Sequence, residues 1–334
     1  MKITVVGSGG WGTALAVMLA KNGNDVTLWS FEKQEYERLA ADRENRAFLP
    51  GVLFPEELKC TDDLSAAGDA EIVVLAVPSF AVRATAAKLS QYITDKHVVV
   101  NVAKGIEKET SKRLSEIIEE EISAKCEIVV LSGPSHAEEV GRGVPTAIIA
   151  TSRSKKAAET VQDVFMNESF RVYITDDIIG VELGAALKNV MALAAGICDG
   201  LGLGDNSKAA LMTRGLAEMV RLGLALGGKE ETFSGLAGLG DLIVTCMSMH
   251  SRNRRAGILI GEGTPTDKAL EKIGAVVEGY YATQSAIQLA ERVGIEMPIT
   301  REVYRILFEG ADAKESLVKL MARDKRTESS TAWK

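Results

Sequence analysis

KITVVGSGGWGTALAVMLAKNGNDVTLW, residues 2–29, carries the fold in miniature. A β-branched run, a glycine turn, an alanine- and leucine-rich stretch and a second β-branched run follow one another, which is the order of a βαβ unit. Within the turn, Gly7, Gly9 and Gly12 stand in a GxGxxG arrangement. The three serve different mechanical ends, namely a tight turn, close approach of backbone to a pyrophosphate, and close packing of helix on sheet. The helix start then offers unpaired N–H groups and a partial positive charge to phosphate. GxGxxG alone is a weak signal. The strand before it, the helix after it and DVTLW at the expected distance make it a dinucleotide site.

A strict NAD site usually ends its second strand in Asp or Glu, which binds the adenosine ribose. Here Ser30 follows DVTLW, then Phe31, Glu32 and Lys33. With Lys33 within reach, a 2′-phosphate is not obviously repelled, so the expectation is NADP or dual use of NADP and NAD, with NADP favoured.

Outward from this unit, short β-branched runs alternate with amphipathic stretches. LKCTD (58–62), EIVVLAV (71–77), HVVVNVA (97–103), EIVVLS (127–132), TAIIAT (146–151) and FRVYIT (170–175) read as strands. TSKRLSEIIEEEISAK and SKKAAETVQDVF read as helices between them. The pattern predicts an α/β fold, a doubly wound, mostly parallel Rossmann-type sheet. After Thr175 strand-like runs cease, and Thr175-Asp176-Asp177 supplies a helix cap with acids in the first turn. The expected division is 1–178, a dinucleotide-binding domain, and 179–334, an all-helical substrate and catalytic domain. The closing RDKRTESSTAWK is polar and expected to fray.

Composition limits the function. Hydrophobic residues at 46% and charged residues at 25% describe an ordinary globular chain. A net charge of -7 argues against general affinity for nucleic acid or anionic lipid. Cys60, Cys126, Cys198 and Cys246 are far apart, without CxxC or ligand-spaced histidines, so neither a zinc site nor a disulfide framework is expected. Reduced thiols fit a cytoplasmic protein. MKITVVGSGG has too short an apolar run for a signal peptide and reads as the first strand. GxSxG and Walker A motifs are missing.

VELGAALKNVMALAAGICDGLG, residues 181–202, is apolar on every side except for a few polar residues. Glu182, Lys188, Asn189 and Asp199 would be costly in lipid, which rules against a membrane span. The neighbours of Lys188 at helical spacing are Gly184, Ala185, Met191 and Ala192, none able to neutralise it. It either snorkels to solvent past small side chains or serves proton transfer, and composition favours neither. Lys104 follows a strand, where alone it reads as an exposed loop lysine. SGPSHAEE follows EIVVLS, at a carboxyl strand end where ligands of such sheets bind. His136 lies there but ranks below the lysines; His97 and His250 read as structural or solvated. In GLAGLGDLIVTC, Asp241 is either a helix cap or the carboxylate partner of Lys188. SRNRRAG gathers Arg252, Arg254 and Arg255 with Ser251 and Asn253. That is by itself a solvated basic turn, or else fork-shaped capture of a phosphate.

Together GSGGWGTALA, AKGIE, SGPSHAEE, GAALKNV, GLGDNSKAALMTRGLAEM, GLAGLGDL, SRNRRAG and VVEGY resemble the bacterial NAD(P)-dependent glycerol-3-phosphate dehydrogenases over nearly the whole chain. The resemblance implies interconversion of sn-glycerol 3-phosphate and dihydroxyacetone phosphate, feeding phospholipid synthesis. It places the family's catalytic lysine on Lys188, and the lysine that meets both cofactor and substrate on Lys104. Substrate contacts fall on Gly133, Ser135, Asp241, Ser251, Arg252 and Asn253, with Asn189 and Thr245 in secondary positions. Cofactor contacts fall on Gly10, Trp11, Ala137, Arg252, Val276 and Glu278. Ser30 and Phe31 lie where members of the family vary.

The expected chemistry is hydride delivery to the ketone carbon, Lys188 protonating the oxygen, Lys104 polarising it and Asp241 orienting Lys188. The rivals are another hydroxyacid or ketoacid dehydrogenase with a helical second domain, and a non-catalytic NAD(P) sensor. A homodimer is a guess only, because Ala- and Gly-rich helices pack within a chain as well as between chains.

Overall fold

The structure, a computed structural model, describes residues 1–325, 327 and 328 of the 334. Most of the expected frayed end therefore lies outside the described residues. Strand β1 (Lys2–Val6), helix α1 (Gly10–Lys21), β2 (Asp25–Trp29), α2 (Lys33–Asp42) and β3 (Lys59–Thr61) come first. There follow β4 (Ile72–Leu75), α3 (Val82–Leu89), β5 (Val98–Asn101), α4 (Leu114–Glu121) and β6 (Glu127–Ser132). Then come α5 (Ala137–Gly141), β7 (Thr146–Thr151), α6 (Lys155–Phe165) and β8 (Phe170–Thr175). α4 is shorter than TSKRLSEIIEEEISAK predicts. Its first residues form a turn instead, with Glu107 N–H donating to the Lys112 carbonyl and Ser111 at φ 57°.

All eight strands join one sheet in the order β3-β2-β1-β4-β5-β6-β7-β8. Strand order reverses between β1 and β4, which pair parallel with Val6 opposite Leu75, so their carboxyl ends open a crevice where such sheets bind ligands. Only β6 and β7 pair antiparallel, Leu131 opposite Ala150. The connection between them holds only the five-residue α5, and the chain turns back at the same end of the sheet instead of crossing over. β1 and β4 are buried on both faces, as parallel strands covered by helices are.

Helix α7 (Ile178–Gly200) begins immediately after Asp177, whose Oδ1 accepts Gly180 N–H at 2.8 Å. After it come α8 (Asp205–Ala225), α9 (Glu230–Ser234), a π-turn at Leu236–Gly240 and α10 (Asp241–Met247). The last helices are α11 (Arg252–Gly261), α12 (Thr266–Ile273), α13 (Glu278–Val293), α14 (Pro298–Phe308) and α15 (Ala313–Met321). Among the described residues, no strand follows Thr175.

α7 is long and apolar enough to cross a membrane, but every residue from Val181 to Ile197 is covered by protein. Its glycines explain how. Gly196 and Gly200 face Gly257 and Gly261 of α11, and a Cβ at any of the four would overlap a carbonyl oxygen of the opposite helix. The small residues that made a dimer conceivable are thus used for a contact inside the chain. Glu182 ties α7 to the sheet half: its buried carboxylate accepts from Ser115 N–H at 2.8 Å, Ser115 Oγ at 2.6 Å and Arg113 Nη1 at 2.7 Å.

Candidate active site

At the crevice the glycine loop is shaped as its spacing predicts. Gly7 holds φ 121°, and a Cβ there would come within 2.6 Å of the Ala76 carbonyl oxygen on β4's exit. A Cβ on Gly12 would overlap the Gly7 carbonyl. Around Gly9, by contrast, a Cβ would meet nothing within 4 Å. Gly9 caps α1 without any side-chain hydrogen bond, and α1 has no acid in its first turn. The first-turn N–H groups have no acceptor within the helix, and the open space beside Gly9 suits the pyrophosphate of a dinucleotide. Gly10 and Ala137 are neighbours, with 3.6 Å between the Ala137 Cβ and a Cβ built on Gly10; half-buried Trp11 stands beside them.

The second cluster joins the two halves of the chain. Lys188 Nζ donates to Asp241 Oδ1 at 2.6 Å and to Thr245 Oγ1 at 2.7 Å. Thr245, one turn beyond Asp241 on α10, donates in turn to the Asp241 carbonyl at 2.6 Å. Lys104, from the loop after β5, donates to Asp241 Oδ2 at 2.8 Å and to the Gly133 carbonyl at 2.8 Å, with Ser135 Oγ at 3.5 Å. One carboxylate therefore holds two ammonium groups, one on each oxygen. Asp241 is the first residue of α10 rather than its cap; Gly240 has that position, without a side chain.

Burial sets the electrostatics. Asp241 is 1% exposed and Lys188 5%. Burial pushes the Lys188 ammonium down to about 8, against the restoring pull of Asp241 and with Lys104 adding to the fall. Burial alone would raise Asp241, but Lys104 and Lys188 outweigh it and hold the carboxyl below the usual carboxylate range. Lys188 has three N–H donors, and two of them are engaged by Asp241 and Thr245. The third has no partner among the described residues.

A neighbouring layer surrounds this core. Asn189 Oδ1 accepts from Asn253 Nδ2 at 2.9 Å, and Asn253 Oδ1 accepts Gly279 N–H at 2.8 Å. Glu278 opens α13 and reaches across to the loop after β4, where it accepts from Ser79 Oγ at 2.6 Å and Ser79 N–H at 3.2 Å. Val276, just before it, is half-buried.

SRNRRAG is neither a loop nor a single arginine cluster. Ser251 caps α11 by accepting Arg254 N–H, and the arginines leave the helix in different directions. Arg252 is exposed at the helix start. Arg254 is committed elsewhere: its Nε donates to Asp199 Oδ2 at 2.7 Å and its Nη1 to the Met247 carbonyl at 2.6 Å. Arg254 is thus removed from the phosphate-capture set, and it binds α11 to the end of α7.

The histidines stay secondary. Burial, reinforced by Lys188, lowers His136 below the ordinary histidine value, so its ring is neutral near pH 7. His250 is exposed, as expected, with its ring centroid 5.6 Å from that of His136 and its Nδ1 3.7 Å from Glu138. His97 is structural: its Nδ1 accepts Thr94 N–H at 3.0 Å.

At the end of β2 the structure corrects one premise. A carboxylate is present there, supplied from α2: Glu35 Oε2 accepts from Ser30 Oγ at 2.9 Å. The absence of an acid next to β2, on which the expected NADP preference rested, is a feature of the sequence order and not of the site. Phe31 projects to solvent, 67% exposed.

Among known families, the N-terminal model of NAD-dependent glycerol-3-phosphate dehydrogenase matches residues 2–158 and the C-terminal model residues 177–318. The chain is 54% identical over 330 residues to the glycerol-3-phosphate dehydrogenase [NAD(P)+] of Fusobacterium nucleatum, covering 98% of each chain. It is 56% identical over 329 residues to that of Thermoanaerobacter sp., covering 98% of this chain and 99% of the relative. The crystal structure of glycerol-3-phosphate dehydrogenase from Coxiella burnetii superposes with a TM-score of 0.92 at 41% identity, over 96% of this chain and 99% of that one. With both halves matched and more than half of the residues shared with such relatives, the chain belongs to the NAD-dependent glycerol-3-phosphate dehydrogenase family.

Proposed function

We propose that this family member interconverts dihydroxyacetone phosphate and sn-glycerol 3-phosphate with NAD or NADP, and that Lys188 moves the proton. The observation that carries the reading is the grip of Asp241 on both lysines. When bound, the dinucleotide supplies or receives the hydride at the substrate's central carbon. The turn at Gly7, Gly9, Gly10, Trp11 and Gly12 would hold its pyrophosphate, and Ala137, Val276, Glu278 and Arg252 would meet the rest. Residues 1–178 then serve as the dinucleotide-binding domain and 179–334 as the substrate domain.

In the reduction, the ketone oxygen gains a bond to hydrogen as its carbon gains hydride. Lys188 Nζ gives up that proton and becomes a neutral amine; in the oxidation it takes the proton back. A value of about 8 suits both directions near neutral pH, because an efficient acid–base group titrates close to the working pH. Asp241 keeps enough of Lys188 charged to act as a donor and fixes its direction. Lys104, held by Gly133 O and Asp241, places a second positive charge where the oxygen becomes negative. Ser135, Asn189, Thr245 and Asn253 line the polar wall, and Ser251 and Arg252 present the start of α11 to the phosphate.

Four unpaired, widely spaced cysteines support a cytoplasmic enzyme, whose glycerol 3-phosphate would serve phospholipid synthesis. The test follows NADH and NADPH absorbance with dihydroxyacetone phosphate and with unphosphorylated dihydroxyacetone. Loss of one charge-assisted contact costs about 1.5 to 3 kcal/mol, so Arg252→Ala lowers kcat/KM for the phosphorylated ketone by roughly 10- to 150-fold more than for the other, which loses only the dinucleotide contact. Equal losses would remove Arg252 from the phosphate, and no turnover of either ketone would overturn the reading.

A further inference from the structure

The adenosine end of the dinucleotide site contains a relay of side chains. Ser30 occupies the position just past β2 from which an acid ordinarily reads the ribose, and it is 1% exposed. Ser8, in the glycine loop and also buried, donates its hydroxyl to Ser30 Oγ at 2.8 Å. Ser30 Oγ donates onward to Glu35 Oε2 at 2.9 Å. A carboxylate can only accept and each hydroxyl has one proton, so the direction of the relay follows. Three elements meet in it: the phosphate-binding turn, the end of β2 and the first turn of α2.

The relay fixes the Glu35 carboxylate over the strand end, and Oε1 takes no hydrogen bond among the described residues. The nearby cations are less constrained. Lys33 is 74% exposed and approaches Glu37 only at 4.0 Å. Lys88 of α3 lies over the Phe31 ring, 5.2 Å from its centroid. Either would have to leave its partner and become ordered to meet a 2′-phosphate, whereas Glu35 is already oriented by two buried hydroxyls.

We propose that Glu35 is the specificity-determining residue for the cofactor: held by Ser30 and Ser8, its carboxylate accepts the adenosine ribose hydroxyls and opposes a 2′-phosphate, so the enzyme favours NAD over NADP. A diol placed on a carboxylate gains charge-assisted hydrogen bonds. A phosphate in the same place meets like charge, which is costly. This deepens the dinucleotide reading above and rests on it. Glu35 does from the next helix what an acid at the strand end does elsewhere.

The measurement is the ratio of kcat/KM for NADH to that for NADPH, with dihydroxyacetone phosphate, in the wild type, Glu35→Gln, Ser30→Ala and Lys33→Ala. A wild-type ratio of about ten or more is expected, and E35Q lowers it about tenfold or further, mainly through the two KM values. S30A moves it the same way by less, because the carboxylate keeps its charge but loses its support; K33A leaves it within about twofold. A wild type that prefers NADPH, or an E35Q ratio within twofold of wild type, overturns the proposal. Should the ketone not be turned over at all, the substrate reading fails on its own. Tryptophan-fluorescence titration of the same proteins with NADH and NADPH then gives the cofactor ratio as dissociation constants, and the same thresholds decide it.

Discussion

Lys188 and Arg83 each face carboxylates contributed by other elements, and only one of them is altered chemically by it. Arg83 of α3 makes two 2.7 Å bonds to Glu107, one of 3.1 Å to Glu120 of α4 and a further one to Glu121. Its side chain is 33% exposed, and its hydrogen bonds, that to Glu107 first, push an already permanent charge further up. Lys188 has one carboxylate, shared with a second ammonium, and almost no water. The difference is desolvation. Acid partners on the surface stabilise a charge that water already stabilised, whereas burial brings the ammonium of Lys188 to the edge of neutrality while a single acid keeps it from crossing. Pairing fastens the surface cluster; imbalance leaves the buried one poised to titrate near pH 8.

The contrast is broken most severely by Lys188→Ala. Losing a positioned acid–base group typically costs about 100- to 10,000-fold in rate, so kcat falls into that range while NADH binding, read by fluorescence, persists. Next comes Asp241→Asn, which leaves two buried cations without their counter-charge. Removing one member of a buried ionic set costs roughly 3 to 5 kcal/mol, and urea denaturation registers that loss alongside reduced turnover. A smaller and sharper test is pH. Reduction needs the protonated Lys188, so kcat/KM is full below and lost as pH rises through about 8, and oxidation runs the opposite way. D241N moves that midpoint to lower pH, because Asp241 is what raises it. The smallest effect belongs to Arg83→Ala: about 1 kcal/mol of stability, diminished by added salt, with the pH midpoint unmoved.

What was readable in the chain follows the same division between local and assembled features. Strands β1, β2, β6, β7 and β8 match β-branched runs to the residue, both where a strand is buried along most of its length, as β1 is, and where buried and exposed residues alternate, as at the start of β8. Asp241 was recognisable as a partner for Lys188 because the other helical neighbours of that lysine are apolar, and Thr245 lies one turn away on the same helix. Glu35 escaped notice because its approach to Ser30 depends on the two residues that turn the chain into α2, not on proximity in sequence. Arg254 looked equivalent to Arg252. Only the phase of α11 separates them, turning one toward Asp199 and leaving the other in solvent. Ser79 and Glu278, 199 positions apart, meet by tertiary packing alone.

The paired glycines of α7 and α11 have a consequence for anyone who would redesign this enzyme. Where two helices touch through backbone, no side chain remains to repack, so a library randomised at 196, 200, 257 and 261 should return glycine almost exclusively. Such a seam also acts as a fixed ruler. It sets the distance between Asn189 on one helix and Asn253 on the other, and with it, in the function proposed above, the span a substrate would have to match. Altering substrate length would therefore mean changing side chains on either side of the seam, with the seam itself left untouched.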